Sequence, residues 1–352
     1  MFFYISPPFM QPVAAGGSHC LVTGKRVKLL PVPADTTKKF IFLGQCGKVC
    51  AQEPNQTPEI IVRIVDKMNR VKQFISLEFF PPKDKNEWPT FFKTVETLSQ
   101  LNPLFASVTY GAGGSTKGDT LEIVSRLKSE FGLDTMAHLT CIGSYRGDLQ
   151  QFLDSLALAG VNDVLALRGD LPGDAPPEFS ACRTLLHASD LAAFIKQAHP
   201  GMGIGVAGYP ETHPEAIDAE HDLRYLKLKL DQGGDFVITQ LFFDNELYFD
   251  FVAKARAAGI DKPIIPGIIP VVSLKVIQRI ISLCGAKLPA AYLAELEEAD
   301  RQGGAAAVQQ LGVSYARRQA QELLAAGVPG VHIYTLNRDQ AVLDLVEGLL
   351  PS

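Results

Sequence analysis

The chain has 352 residues and a net charge of -5, with 47% hydrophobic and 20% charged residues. That length suits one large α/β domain with an appendage, or two ordinary domains, and the apolar share suffices for a full core. The charge balance excludes a general polyanion-binding role and wholesale disorder, and no apolar stretch is long enough to span a membrane.

Residues 1–57 stand apart from the rest. Pro7, Pro8, Pro12, Pro31, Pro33, Gly16, Gly17 and Gly47 interrupt every short apolar patch, so an irregular extension is expected, or a true start at Met68. The N-terminus lacks the basic and apolar regions of a signal peptide. The six cysteines (Cys20, Cys46, Cys50, Cys141, Cys182 and Cys284) are sparse and scattered, as in a reduced cytoplasmic protein. Cys46 and Cys50 have no second Cys/His pair at zinc-finger spacing, so no metal site is expected.

From residue 58 onward the pattern is regular. A lead-in helix is predicted over Ile60 to Val71. Apolar runs of strand length follow at about 73–78, 104–110, 134–141, 163–168, 203–208, 235–241, 263–267 and 330–335. Helical periods lie between them at about 86–100, 117–131, 148–159, 188–198, 214–231, 246–258 and 273–284. Two more, at 289–300 and 304–326, precede the last strand, and 338–349 closes the chain. Eight strands alternating with helices predict a (β/α)8 TIM barrel over residues 58–352. A doubly wound sheet is the competitor. Its GxGxxG fingerprint is matched only formally by Gly203-Ile204-Gly205-Val206-Ala207-Gly208, whose glycines lie inside a strand instead of in a turn opening a helix.

The strands end in polar residues, where barrel enzymes carry their chemistry. Glu78 follows Ser76-Leu77 and precedes Phe79-Phe80-Pro81-Pro82. Neighbouring rings should strip it of solvation and raise its pKa, as suits a general acid; a structural Glu bonded to loop amides accounts for the segment equally well. Thr109 and Tyr110 enter the glycine-rich run Gly111-Ala112-Gly113-Gly114-Ser115-Thr116, which permits close backbone approach to a ring or phosphate. His138 ends the third strand. Arg168-Gly169-Asp170 ends the fourth, either as a local ion pair or as a ligand-facing one. Tyr209 to Pro214 lead into a helix with Pro214 near its first turn. Gln240 ends the sixth strand with an amide able to donate and accept, and Arg338 beyond the eighth suits a carboxylate or phosphate. These stretches show no nucleophile–base pair, metal cluster or Walker loop. They suit a site in which a bound organic cofactor carries the reaction.

The stretches SLEFFPPK, VTYGAGG, AHLTC, ALRGD, VAGYPETHPEA, DFVITQLFF, IIPGIIPV and VHIYTLNR, in that order, resemble the methylenetetrahydrofolate reductase family over about residues 70–349. The chain is similar to its short bacterial form. The resemblance implies FAD as cofactor, 5,10-methylenetetrahydrofolate and NADH or NADPH as substrates, and ping-pong hydride transfer through the flavin. A cytoplasmic homo-oligomer in one-carbon metabolism and methionine supply is expected, binding neither nucleic acid nor membrane. By resemblance Glu78 is the general acid and Asp170 a catalytic carboxylate between flavin and folate. Tyr110, Ala112, His138, Arg168, Gly169, Asp170, Ala188, Tyr209, His213, Ala216, Asp222 and Lys229 match FAD-contacting positions. Thr109, Asp170, Gln240, Leu336 and Arg338 match substrate-side ones. The chain departs from the family pattern at His187, Tyr225, Leu228, Gly234 and Ile280, which bears on cofactor affinity. A metal-free barrel lyase would require a buried Lys at a strand end, which the sequence does not offer. A ligand-binding barrel without activity is the other alternative.

Overall fold

The computed structural model describes residues 62–110, 117–170 and 185–350. The expectations for residues 1–57 and for the loop at 111–116, including Ala112, lie outside the described residues.

Among the described residues nine parallel strands form one sheet: β1 (Phe74–Phe79), β2 (Ala106–Val108), β3 (Thr135–Thr140), β4 (Asp163–Leu167), β5 (Gly203–Gly208), β6 (Phe236–Thr239), β7 (Ile264–Ile265), β8 (Gly267–Ile268) and β9 (Gly330–Tyr334). Their order is β7-β6-β5-β4-β3-β2-β1-β9-β8. Each predicted strand is present, with one difference: the seventh is divided at Pro266. Proline has no N–H for the ladder, so β7 pairs with β6 through Val237↔Ile264, while β8 pairs with β9 through Gly267↔His332. The two halves thereby join opposite neighbours and bring the sheet round into a barrel. Every strand residue is buried, as expected where helices cover the outside and side chains fill the inside.

Alternation divides the two faces. Ile75, Leu77 and Phe79 of β1 face outward into the main core with Phe91, Val95 and Leu98, residues of α2 (Trp88–Ser99). Phe74 faces inward, in the cluster that holds Phe105, Met136, Leu165, Phe236 and Ile265. The remaining helices are α3 (Lys117–Phe131), α4 (Arg146–Leu158), α5 (Ala188–Ala198), α6 (Ala219–Asp231), α7 (Asn245–Ala257), α8 (Leu274–Cys284), α9 (Ala290–Ala325) and α10 (Asp339–Val346). Two of them differ from the sequence pattern. Helix α6 starts five residues past Pro214, because the Asp218 carboxylate accepts from His221 N at 2.7 Å and caps it there; Pro214 therefore lies in the preceding turn. The two helices expected at 289–300 and 304–326 run together, interrupted only by Gly304 at φ 59° and ψ -150°. The glycines of the formal fingerprint have a packing role. A Cβ on Gly203 would lie 2.0 Å from Asp163 Oδ1, and one on Gly208 2.8 Å from Val237.

The lead-in helix α1 (Ile64–Met68) closes the barrel floor. Ile64, Val65 and Met68 join the apolar cluster of the inner ring. Around them Arg63 bridges Asp66 and Asp235, and Lys67 pairs with Asp134. Asp163, only 4% exposed, accepts from Ile64 N at 3.1 Å. Burial pushes its carboxyl up to about 7; Asp235 and Asp134 add to the shift, and the Ile64 N–H and Arg63 oppose it.

A carboxyl raised on folding binds its proton more tightly in the folded than in the unfolded chain. Its contribution to stability is complete below the unfolded value of about 3.9 and is lost as pH rises through about 7. In urea denaturation of parent and Asp163→Asn, the stability difference should shift in favour of the variant between about pH 5 and 8. A difference independent of pH would show that Asp163 is already ionised at pH 5.

Candidate active site at the barrel mouth

Because the strands are parallel, their carboxyl ends share one rim. Glu78 stands one residue before the end of β1, Asp170 three residues past β4, and Gln240 one residue past β6. Residues from distant parts of the chain therefore meet at the same mouth.

Glu78 is the innermost, 1% exposed. Phe79 points to the opposite face of the strand, where it packs edge-on against Phe91 at 6.0 Å, so it does not desolvate the carboxyl as the sequence suggests. The neighbours of Glu78 are polar. Its Oε2 lies 3.2 Å from His138 Nε2, 3.4 Å from His332 Nε2 and 3.5 Å from Ser107 Oγ. Behind them Ser76 Oγ meets His332 Nδ1 at 2.8 Å. Burial pushes the Glu78 carboxyl up, while the two imidazoles pull it down. Burial holds both imidazoles below their ordinary value, against the pull of Glu78. His138 therefore belongs to this inner cluster.

A second cluster lines a cleft of about 220 Å³ beside the mouth. Seven of the expected cofactor positions converge there: Arg168, Ala188, Tyr209, His213, Ala216, Asp222 and Lys229. His187 and Tyr225, two of the departures from the family pattern, line the same cleft, their rings 5.9 Å apart. The guanidinium of Arg168 is held by both oxygens of Glu215, so the local pairing of Arg168 with Asp170 suggested by the sequence gives way to a longer-range one. Asp222 Oδ2 accepts from His213 N at 2.8 Å, and His213 Nδ1 accepts from Glu215 N at 3.0 Å, which fixes the turn before α6. Lys229 Nζ donates to Ala207 O at 2.5 Å, and burial lowers its pKa to about 8, against Asp222. Ala188 and Ser189 open α5 on this cleft. Two cationic side chains and a helix N-terminus suit an anionic group such as a phosphate. The cleft is smaller than the roughly 300–1,000 Å³ of a whole-ligand pocket, so it takes one part of a large ligand.

The rest of the rim is organised more loosely. Asp170 is exposed, its carboxyl raised by local desolvation and opposed by Arg168. Thr109 and Tyr110 are half-buried; Tyr110 turns outward, its ring 5.7 Å from Phe152. Gln240 is buried, and its Oε1 accepts from Leu241 N at 2.9 Å, leaving recognition to its amide N–H groups. Leu336 at φ 47° and Asn337 at φ 54° turn the chain sharply after β9. Asn337 bonds both Phe80 N, at 3.1 Å, and Phe80 O, at 2.6 Å. Thr335 Oγ1 donates to Glu78 O at 2.7 Å. These bonds tie the end of β9 to that of β1, with Leu336 packed beside Phe80 and Ile280, and Arg338 exposed. The sequence analysis did not assign roles to Ser76, Ser107, His332, Thr335 or Asn337. Ser76 and His332 carried a signal: a polar side chain in the inward phase of an otherwise apolar strand has to bond something. The lyase alternative gains little. Lys229 does reach the end of β5, but from a helix and into the outer cleft.

The methylenetetrahydrofolate reductase family matches this chain over residues 63–349. "Methylenetetrahydrofolate reductase (NADH) 1" of Arabidopsis thaliana is 36% identical over 302 residues, covering 82% of this chain and 51% of that protein. "5,10-methylenetetrahydrofolate reductase" of Escherichia coli (strain K12) is 37% identical over 265 residues, covering 75% of this chain and 86% of that protein. The chain spans about half the length of the plant relatives it matches. Among solved structures, an uncharacterized protein from Clostridium thermocellum that binds two copies of 5-methyl-5,6,7,8-tetrahydrofolic acid shares the fold, with TM-score 0.54 at 14% identity over 80% of this chain and 95% of that one.

Gly169 separates Arg168 from Asp170 at φ 83°, and a Cβ there would lie 2.6 Å from Ile142 Cγ2 and 2.9 Å from Thr140 Cβ. Gly169→Ala should therefore destabilise the protein by about 1–3 kcal/mol in urea unfolding. Gly118→Ala, on a helix with nothing within 4 Å, should be neutral or stabilising by up to ~1 kcal/mol. Equal stabilities for the two variants would show that the β4 rim relaxes freely.

Proposed function

Because the chain belongs to the methylenetetrahydrofolate reductase family, we propose that it reduces 5,10-methylenetetrahydrofolate to 5-methyltetrahydrofolate with NADH or NADPH as donor and FAD as resident cofactor. The observation that carries this reading is the pairing of two sites at one rim. A buried carboxyl with its own imidazoles lies in the barrel, and a cleft with cationic groups lies beside it. The first supplies a proton; the second holds a phosphate-bearing ligand.

When bound, FAD would supply the hydride-transfer chemistry between nicotinamide and folate. The donor set fits such a group. Arg168, Lys229 and the first turn of α5 would hold its phosphates, with Tyr209, His213, Ala216 and Asp222 shaping the wall. By resemblance Tyr110, Ala112, His138, Gly169 and Asp170 would contact the remainder of it.

In the folate reaction Glu78 protonates a bridge nitrogen of the substrate. The C–N bond of the methylene bridge then breaks, leaving an iminium carbon that accepts hydride and becomes the methyl group. The two imidazoles stabilise the anion that Glu78 becomes. Gln240 would hold the ring edge of the folate or nicotinamide through its amide N–H groups, with Thr109 on the same face. Leu336 would pack against the folate, and Arg338 would meet its carboxylate tail. Asp170 would face the pterin. One rim serving two substrates in turn accounts for a ping-pong order.

The purified protein should be yellow, with a flavin spectrum that NADH or NADPH bleaches anaerobically; timing each donor identifies the preferred one. Glu78→Gln should lower folate turnover by about 10²-fold or more while the nicotinamide still bleaches the flavin. Folate turnover at the parental rate would remove Glu78 as the acid, and a colourless preparation would favour a binding barrel. Asp170→Asn should weaken folate affinity and alter flavin reactivity; unchanged affinity and unchanged flavin potential would contradict its placement at the pterin.

A further inference from the structure

Ser76, His332 and Glu78 form a contact chain in the order of a hydrolase triad, but its direction is different. Ser76 is fully buried beneath the carboxyl, so no substrate reaches its hydroxyl. The outward member of the chain is Glu78. We propose that His332 is the positioning residue of Glu78: clamped in one orientation and tethered by Ser76, it presents an N–H to Oε2 and thereby sets both the direction and the proton affinity of the carboxyl. This rests on the reading of Glu78 as the acid and goes beyond it.

Three observations support the assignment. The first is the clamp. The His332 ring, 0% exposed, stacks on Phe105 at 5.6 Å and 16° and meets Tyr334 edge-on at 5.5 Å and 87°. Aromatic faces on two sides leave the imidazole little freedom to rotate. The second is the tether. Ser76 Oγ lies 2.8 Å from His332 Nδ1 and 3.5 Å from Val331 O. A hydroxyl has one hydrogen, and the ring nitrogen is the nearer acceptor. With Nδ1 accepting, the proton of a neutral ring sits on Nε2, 3.4 Å from Glu78 Oε2. Burial, which holds His332 below the ordinary imidazole value, keeps it neutral. The third is convergence. His138 Nε2, His332 Nε2 and Ser107 Oγ all approach the same oxygen, Oε2, so these groups together hold the carboxyl at that atom.

Among the described residues, the groups facing Glu78 include Ser107 from β2, His138 from β3, and His332 with Tyr334 from β9. Tyr334 stays protonated, since burial and Glu78 both raise it well above its ordinary value. His332 is tethered by Ser76 and stacked on Phe105. Its loss removes both a donor and the fixed geometry of the anchor.

The test uses the full-length protein and three variants. His332→Gln keeps an N–H donor near the Nε2 position; His332→Leu removes it; Ser76→Ala cuts the tether alone. The Glu78 carboxyl is titrated by infrared difference spectroscopy, its band assigned by its disappearance in Glu78→Gln. The carboxyl of His332→Leu should titrate upward by about one pH unit or more, that of Ser76→Ala by less, and that of His332→Gln should remain near the parent. The pH profile of folate reduction should move in the same order. If His332→Leu does not fold, the order Ser76→Ala above His332→Gln decides. A carboxyl titrating alike in all foldable variants overturns the assignment, whether or not folate is reduced. The expected infrared order in a protein that reduces no folate leaves the positioning role standing and removes the proposed reaction instead.

Discussion

Pro266 has no N–H to give, and the ring of strands closes around it. On one side Ile264–Ile265 pairs with β6, and on the other Gly267–Ile268 pairs with β9. The backbone compensates at the break: Gly267 N donates to Thr239 Oγ1 at 2.9 Å, and His332 N to Pro266 O at 2.9 Å. Tyr334 reaches across to Thr239 O at 2.6 Å. Within the same sheet β1 pairs with β9, Ser76 opposite His332, and that pairing places His332 against Glu78.

The two ends of the barrel surround a buried carboxyl differently. At the floor Asp163 has one backbone donor and sits near Asp134 and Asp235, so burial and like charge raise it to about 7. At the mouth Glu78 sits among imidazoles and a hydroxyl, which pull against burial. Burial raises both carboxyls, and the neighbouring donors oppose it. The difference matches the general division of a barrel, whose amino-terminal end serves stability and whose carboxyl-terminal end serves chemistry. Arg63 and Lys67 over the floor are part of the stability side.

Between these ends the interior carries little that is polar. Phe74, Phe105, Met136 and Phe236 fill the level above α1. The polar layer of Ser76, Ser107, His138 and His332 begins directly above it. An apolar level beneath seals that layer from solvent on the floor side, so its hydrogen bonds act in a low dielectric, where each is stronger and an unmade one costs more. The outer cleft is different in kind. Its groups are half-exposed, its Arg168 is paired with Glu215, and its Lys229 is near the end of its charged range at about 8. In the proposed reaction the outer cleft binds, while the inner layer transfers a proton.

The barrel was legible along the chain because its signals are local. Each strand is a short apolar run, each helix an amphipathic period, and the polar residue after each run marks the rim. Glu78, Asp170, Gln240 and the turn at Tyr209–Pro214 could be singled out on that basis, as could the family resemblance. Long-range contacts could not be. That Arg168 pairs with Glu215, that Pro266 divides a strand, and that Asp218 delays α6 depend on neighbours or caps that run-length and period do not encode. The surroundings of Glu78 are the sharpest instance. Phe79 and Phe80 are adjacent in sequence, yet Phe79 lies on the other face of the strand, while the groups that govern the carboxyl come from β2, β3 and β9. A side chain's proton affinity depends on what surrounds it in space, and that is settled only when the strands have closed.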